Sequence, residues 1–417
     1  MNITRLKLTN LRAIRAAEFK FQPGFNLIVG VNGVGKTSVL DALAVCLSAI
    51  TRQVNHIRTS VEGFVADDIR VGGDALTIEC GFTYGGDAYT YLIHKPRASS
   101  VPQQQKTGQP REQVHDTPER AEYIGATPKP LDGNIREDRP LAVLFSTRRA
   151  VSTDRSPSKG VSAGGIAAAF GDAFANRELR LGEFAAWMHV QEVLKADNPT
   201  SRRVLKAFEE TVRRFLPDYK NLRAEGHKKP TLMINRGNTP LEVRQLSDGE
   251  RGTLAMVLDL TRRIAQANPG LADPTANAEA VVLIDEIDLH LHPQWQRRVV
   301  QNLTAAFPKC QFIATTHSPQ VIGEVDHQRI QIMGGGEVYT PTHSFGVDSS
   351  RVLEEIMDTA PRSERVQRIL PEIAATIDAK KYKIARKLLA ELKAEVGDND
   401  PEVTRIETLL EFMEEDK

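Results

Sequence analysis

The feature that most limits the fold is a loop at residues 30–37. Phe25 to Val29 (FNLIV) is a continuous apolar run, Gly30-Val-Asn-Gly-Val-Gly35-Lys36-Thr37 follows, and Val39, Leu40, Leu43 and Leu47 then recur at helical spacing. A buried strand, a glycine loop and a helix, in that order, form the setting in which backbone N–H groups and a helix N-terminus surround phosphates. Every fixed position of the GxxxxGK(S/T) pattern is present. The glycines let successive N–H groups close around a triphosphate, Lys36 reaches its β and γ oxygens, and the Thr37 hydroxyl ligates Mg²⁺. The ligand implied is ATP with Mg²⁺.

Three further elements extend this site. Ala280-Val-Val-Leu-Ile runs into Asp285-Glu286, an apolar strand ending in two carboxylates, where ligands sit in open α/β sheets. Asp285 is expected in the Mg²⁺ shell, and Glu286 as the group that orients and deprotonates the attacking water. Ser247-Asp-Gly-Glu250 opens a helix as an S-x-x-E capping box. The same N-terminus, with Ser247, Gly249 and Glu250, can grip a γ-phosphate. One subunit cannot easily aim two helix N-termini at one nucleotide from opposite sides, so this element predicts a homodimer with ATP sandwiched between protomers. Lastly, His317 follows the buried strand Gln311 to Thr315 and is placed to sense the γ-phosphate. His290 and His292, beside Pro293, lack a third ligand nearby and read as structural.

The 417 residues carry 54 Lys+Arg against 54 Asp+Glu, so bulk electrostatic coating of nucleic acid is excluded. Basic pairs at Arg202-Arg203, Arg213-Arg214, Lys228-Lys229 and Arg262-Arg263 read as solvated helix faces, or together as a groove for DNA or RNA in a closed dimer. Cys46, Cys80 and Cys310 lie far apart without CxxC spacing, which fits a reducing compartment. No apolar run approaches the ~18 residues that a membrane span needs, and the N-terminus is no signal peptide, so a cytoplasmic protein without membrane contact is expected. Lys95 to Arg139 is rich in Pro, Gln, Thr and charge and reads mostly as a mobile insertion, as does Ser152 to Gly165. Helical periodicity from Glu183 to about Phe215 breaks at Asn198-Pro199 and is too short for a long coiled-coil arm. From Ser349 onward the chain is almost wholly helical, with two apolar-striped helices around the turn Gly397-Asp-Asn-Asp-Pro401.

Taken in order, these elements resemble the ABC-type ATPases, and within them the SMC-like branch that includes repair ATPases of the RecF kind. Asn10-Leu-Arg12 and Asn32-Gly33 belong to that branch's pattern. IDEIDLHLHP followed by TTHSPQ looks closer still to the short-armed ATPases of anti-phage defence, the PtuA-like subunits of Septu systems and their retron relatives. The resemblance covers roughly residues 1–60 and 240–350. It implies an α/β, ABC-type P-loop head with a mixed β-sheet, a short helical insertion and a C-terminal helical hairpin. The expected segments are 1–150 (first half of the head), 151–230 (helical insertion), 231–345 (second half) and 346–417 (partner docking). It also implies a nucleotide-binding set of Asn10, Arg12, Gly30, Asn32, Gly33, Val34, Gly35, Lys36, Thr37, Ser38, Ser247, Gly249 and Glu250. Lys36, Glu286 and His317 are the expected catalytic groups, and Thr37 and Asp285 the metal ligands. Asp248 and Glu250 stand where transporter ATPases carry Gly and Gln, and no clear glutamine loop is visible. Thr147 and Arg148, after the apolar strand Leu141–Phe145, are the candidates for that switch.

The sequence carries no HNH pattern and no acidic metal cluster outside Asp285-Glu286. The resemblance therefore implies an ATPase subunit whose ATP-closed homodimer, or a higher oligomer, controls an effector nuclease of the HNH type (PtuB-like) in anti-phage defence. The competing expectation is a RecF-like DNA-binding repair clamp with no nuclease partner.

Overall fold

A computed structural model describes residues 1–57, 61–97, 99–103, 111–115, 119–130, 139–150, 152–153, 165–176, 178–226, 229–357 and 359–415. They divide into two units, Met1–Val347 and Asp348–Lys417. The first unit is built on a six-stranded sheet in the order Glu337–Tyr339, Ile330–Gly334, Phe25–Gly30, Cys310–Thr316, Ala280–Ile284, Leu141–Phe145. All neighbours are parallel except the first pair, so the sheet is mixed. The apolar runs read from the sequence become its central strands. Ala280–Ile284 and Cys310–Thr316 are buried at every position, as a parallel strand covered on both faces must be.

Register decides what converges at the carboxyl end. Ile284 pairs with Ala314 and with Phe145, while Thr315 and Thr316 pair with Ile28 and Val29. Asp285, Thr315, Ser146 and the glycine loop therefore leave the sheet at the same edge. The P-loop helix, Lys36–Asn55, runs beneath it and buries Val39, Leu40, Leu43, Leu47 and Ile50. By length and hydropathy this helix could span a bilayer, yet 67% of its apolar stretch is buried inside the unit, where it is core. Cys46, Cys80 and Cys310 are buried and free.

A second, antiparallel sheet has the order Ile14–Lys20, Asn2–Leu11, Ala75–Tyr84, Asp87–Pro96, Arg120–Ile124. Ala75–Tyr84 alternates buried and half-buried positions along its whole length. Its last strand lies inside the stretch read as a mobile insertion. Arg120–Ile124 is exposed except at Tyr123, which sets its ring 5.0 Å from that of Tyr91 on the neighbouring strand. Cross-strand aromatic contact of this kind supports pairing that composition alone did not suggest. Ser99–Gln103 and Arg111–His115 also pair. The remainder of that stretch (104–110, 116–118 and 131–138) and most of Ser152 to Gly165 lie outside the described residues.

Helices Leu181–Leu194 and Pro199–Phe215 pack on a three-stranded sheet, Tyr219–Glu225, Thr231–Arg236 and Thr239–Glu242. Asn198 caps the second helix by accepting from the Thr200 and Ser201 amides. Phe184 and Phe208 meet edge to face at 5.2 Å in the shared core. In the C-terminal unit the hairpin Tyr382–Val396 and Pro401–Glu415 is joined by a third helix, Glu364–Asp378. Ile373, Ile377, Leu389, Leu392, Ile406 and Leu410 form its core.

Candidate nucleotide site

The glycine loop has the backbone that its sequence requires. Gly33 and Gly35 sit at φ 82° and 106°, in the region that side chains disfavour. A Cβ on Gly30 would lie 2.7 Å from the Met333 carbonyl oxygen, so the loop closes only around glycine. The Lys36 ammonium folds back over the loop and donates to the carbonyls of Gly30 (2.8 Å) and Val31 (3.1 Å). Burial pushes its pKa down, and the carboxylates of Asp285, Glu286 and Asp288 pull it back up. An ammonium left with two carbonyls on a concave, N–H-rich loop is well matched to an anion.

The two residues expected to ligate Mg²⁺ are brought together. Thr37 Oγ1 donates to Asp285 Oδ2 at 3.0 Å, and Thr315 Oγ1 donates to Asp285 Oδ1 at 2.7 Å. Asp285 is buried and aimed by two hydroxyls, an all-oxygen donor set suited to a hard cation such as Mg²⁺. Thr315 serves twice, because its Oγ1 also accepts from the Glu286 amide at 2.7 Å. Glu286 turns out of the strand at φ 49°, a left-handed conformation that costs a non-glycine residue about 1–2 kcal/mol. His317 is half-buried beside these groups. Burial, then the Lys36 charge, pushes its pKa down, against the pull of Asp288, Glu286 and Asp285. Asp288, not anticipated from the sequence, accepts from Thr316 Oγ1 and from the His317 amide.

Arg12 reaches the same helix N-terminus. Its Nη1 donates to Ser38 Oγ (3.3 Å) and Asp41 Oδ2 (2.6 Å), and its Nε to Asp68 Oδ1 (2.8 Å). Asn10 instead braces the turn beneath, donating through Nδ2 to the Ala75 carbonyl at 3.0 Å. The loop residues Gly30, Asn32, Gly33, Val34, Gly35, Lys36 and Thr37 thus gather with Ser38, Arg12, Asp285, Glu286 and His317.

The signature element stands on its own helix, Asp248–Ala267. Ser247 is the N-cap, and the box closes in both directions: Ser247 N donates to Glu250 Oε2 at 3.0 Å, and the Glu250 amide donates to Ser247 Oγ at 3.4 Å. Glu250 Oε1 accepts from the Tyr219 hydroxyl at 2.9 Å, so both of its oxygens are engaged within the chain. Gly249 is pressed on the segment after Glu286, since a Cβ there would fall 2.3 Å from the His290 carbonyl oxygen. His292 caps helix Pro293–Ala306, its Nδ1 accepting from the Gln294 amide.

Sequence reasoning missed Arg149. Of the residues after Leu141–Phe145, Arg148 is exposed, while Arg149 is buried and donates to the backbone carbonyls of Ser146, Asp285 and Glu286. The adjacent arginines are alike in sequence, and only the 3₁₀ turn Thr147–Ala150 decides which of them turns inward. Burial pushes the Arg149 pKa down to about 10, with Asp285, Asp288 and Glu286 opposing. The pair Arg262-Arg263, expected on a solvated face, turns instead to the half-buried Asp259.

Known proteins share this arrangement of sequence. Residues 167–323 match a family described as "AAA domain, putative AbiEii toxin, Type IV TA system", and residues 5–135 one described as "AAA domain". A retron probable ATPase of Escherichia coli is 36% identical over 229 residues, 54% of this chain and 41% of the relative. The chain thus spans about two fifths of that relative's length. The Septu protein PtuA of Bacillus thuringiensis is 24% identical over 85% of this chain and 84% of its own. An SMC head solved with the C-winged helix domain of ScpA is 16% identical over 82% of this chain and 97% of that one, at a TM-score of 0.48. The chain is thus similar to AAA-domain ATPases over two stretches, and to the retron and Septu ATPases among them.

Proposed function

We propose that the chain binds ATP with Mg²⁺, hydrolyses it, and acts in anti-phage defence as the switch for a partner effector nuclease. The observation that carries the nucleotide reading is the contact of Thr37 with Asp285, which assembles a cation site from two distant segments at the mouth of the glycine loop. Bound Mg²⁺ would neutralise charge on the β- and γ-phosphate oxygens. Lys36 exchanges its two carbonyl partners for phosphate oxygens, and the loop N–H groups hold the remainder. Glu286 orients a water and takes its proton, and His317, neutral at pH 7 in its depressed state, donates a hydrogen bond toward the γ-phosphate side. Ser247 and Gly249 present their helix N-terminus to the nucleotide of a second copy, giving a homodimer with two ATP molecules between protomers. The defence role and the nuclease partner rest on the likeness to retron and Septu ATPases.

The test is a native pull-down of the tagged protein expressed with its neighbouring genes, read by mass spectrometry with and without ATP. A stoichiometric nuclease supports the switch. An ATP-dependent dimer with no partner, holding duplex ends or junctions, would replace it with a RecF-like DNA clamp.

A further inference from the structure

Glu286 is held in the left-handed region by its surroundings, and the groups that hold it are few. Its amide donates to Thr315 Oγ1. Beyond Ile284 the strand turns, with the Ile287 amide donating to the Thr315 carbonyl and the Leu289 amide to the Glu286 carbonyl, each at 2.9 Å. One guanidinium then reaches the carbonyls of both Asp285 and Glu286 from the side. Arg149 Nη1 donates to the Asp285 carbonyl, and Nη2 donates to the Glu286 carbonyl at 2.6 Å. The same Nη1 reaches the Ser146 carbonyl at 3.0 Å, and the Arg149 amide donates there at 3.1 Å, so the 3₁₀ turn is closed on itself. The side chain is 6% exposed. One rigid, planar fork thereby sets the angle between two successive peptide planes, and with it the direction in which the Glu286 side chain leaves the backbone. Arg149 also lines a narrow crevice with Asp248, Thr253 and Leu291, so it stands between the carboxylate turn and the first turns of the signature helix.

We propose that Arg149 is a positioning residue: it clamps the backbone of Asp285 and Glu286 so that the Glu286 carboxylate is aimed for proton abstraction, and it ties that aim to the seating of the signature helix. The inference rests on the reading of Glu286 as the base. Among the described residues, the hydrogen bonds of the Arg149 guanidinium all go to backbone carbonyls, and its effect passes through Glu286.

The experiment uses the full chain with Arg149→Lys and Arg149→Met, each alone and combined with Glu286→Gln. Steady-state hydrolysis, affinity for a fluorescent ATP analogue and thermal melting are measured. The nucleotide affinity is expected to stay within about twofold, because Lys36 and the glycine loop are untouched. The kcat is expected to fall about 100-fold, the scale of a small misplacement of a reacting group. Lys should not rescue, since one ammonium cannot fix two carbonyl directions. In the Glu286→Gln background neither substitution should lower the residual rate further. Unchanged kcat in both variants overturns the proposal, as do losses that multiply with Glu286→Gln. Should Arg149→Met fail to fold, Arg149→Lys carries the test. If both variants lose nucleotide affinity together with their fold, Arg149 is structural and the proposal fails. Failure of the underlying reading is seen separately, as wild-type hydrolysis in Glu286→Gln alone.

Discussion

The hydroxyl of Thr37 donates to Oδ2 of Asp285 across 3.0 Å, although 248 residues separate them. One is the first helical turn after the glycine loop and the other ends the central strand, so a single hydrogen bond joins the two halves of the nucleotide site. Thr315 completes it from the next strand at 2.7 Å. Three segments must be in register before the proposed cation site can form.

Lys36→Ala removes the only ammonium donating into the loop among the described contacts. Charge-assisted hydrogen bonds contribute roughly 1.5–3 kcal/mol, so ATP affinity should fall at least about tenfold, with hydrolysis abolished. Titration with a fluorescent nucleotide checks this. Normal turnover would remove the whole site assignment.

Glu286→Gln keeps the size of the side chain and removes its basicity. Hydrolysis should drop about 10²–10⁴-fold, the usual yield of a general base, with ATP still bound. Light scattering should then show the ATP-held dimer accumulating. A monomer in saturating MgATP would count against the sandwich.

Gly249→Ala puts a methyl 2.3 Å from the His290 carbonyl oxygen, a backbone atom that cannot swing aside. The signature helix should shift or the protein lose about 1–3 kcal/mol of stability. Melting curves read the loss, and dimer formation should suffer more than nucleotide binding, because the glycine loop is not involved.

Asp259 governs stability in acid. Burial would raise its pKa, but the charges of Arg263 and Arg262 overcome this and hold the carboxyl well below its usual value. A depressed folded-state pKa contributes stability that is present above the ordinary value near ~3.9 and lost as pH falls through the folded one. Asp259→Asn removes a carboxylate partner of the buried Arg263, and should cost roughly 3–5 kcal/mol at neutral pH. The variant's stability should also depend less on pH in the acid range. Equal melting temperatures at pH 7 would contradict it.

The role proposed for His317 carries a pH dependence. Its depressed pKa favours the neutral ring in the folded state, so this contribution is intact above the ordinary value near ~6.5 and is lost as pH falls through the folded one. Hydrolysis should be level from pH 7 upward and decline only on the acid side. His317→Ala should lower the rate and remove that acid limb from the profile.

The glycine loop, the two carboxylates and the capping box were legible because each is local. A tight turn with φ 82° and 106° demands glycine wherever it occurs, a strand buried on both faces shows as an apolar run, and Ser247 with Glu250 satisfies the amides of its own helix. Arg120–Ile124 was hidden because its pairing depends on Tyr91, a residue on another strand.

The sequence by itself determined which residue types stand at the strand ends: Lys36 and Thr37 after one, Asp285 and Glu286 after another, His317 after a third. Tertiary structure alone decided which of them meet, because register between distant strands sets that, and composition carries no trace of register. It also decided that Arg149 turns inward while Arg148 faces solvent, and that Arg263 is buried against Asp259 although it looks like a surface cation. In each case the deciding quantity is which polar atoms remain without partners once the sheet has closed, and those atoms exist only in the folded chain.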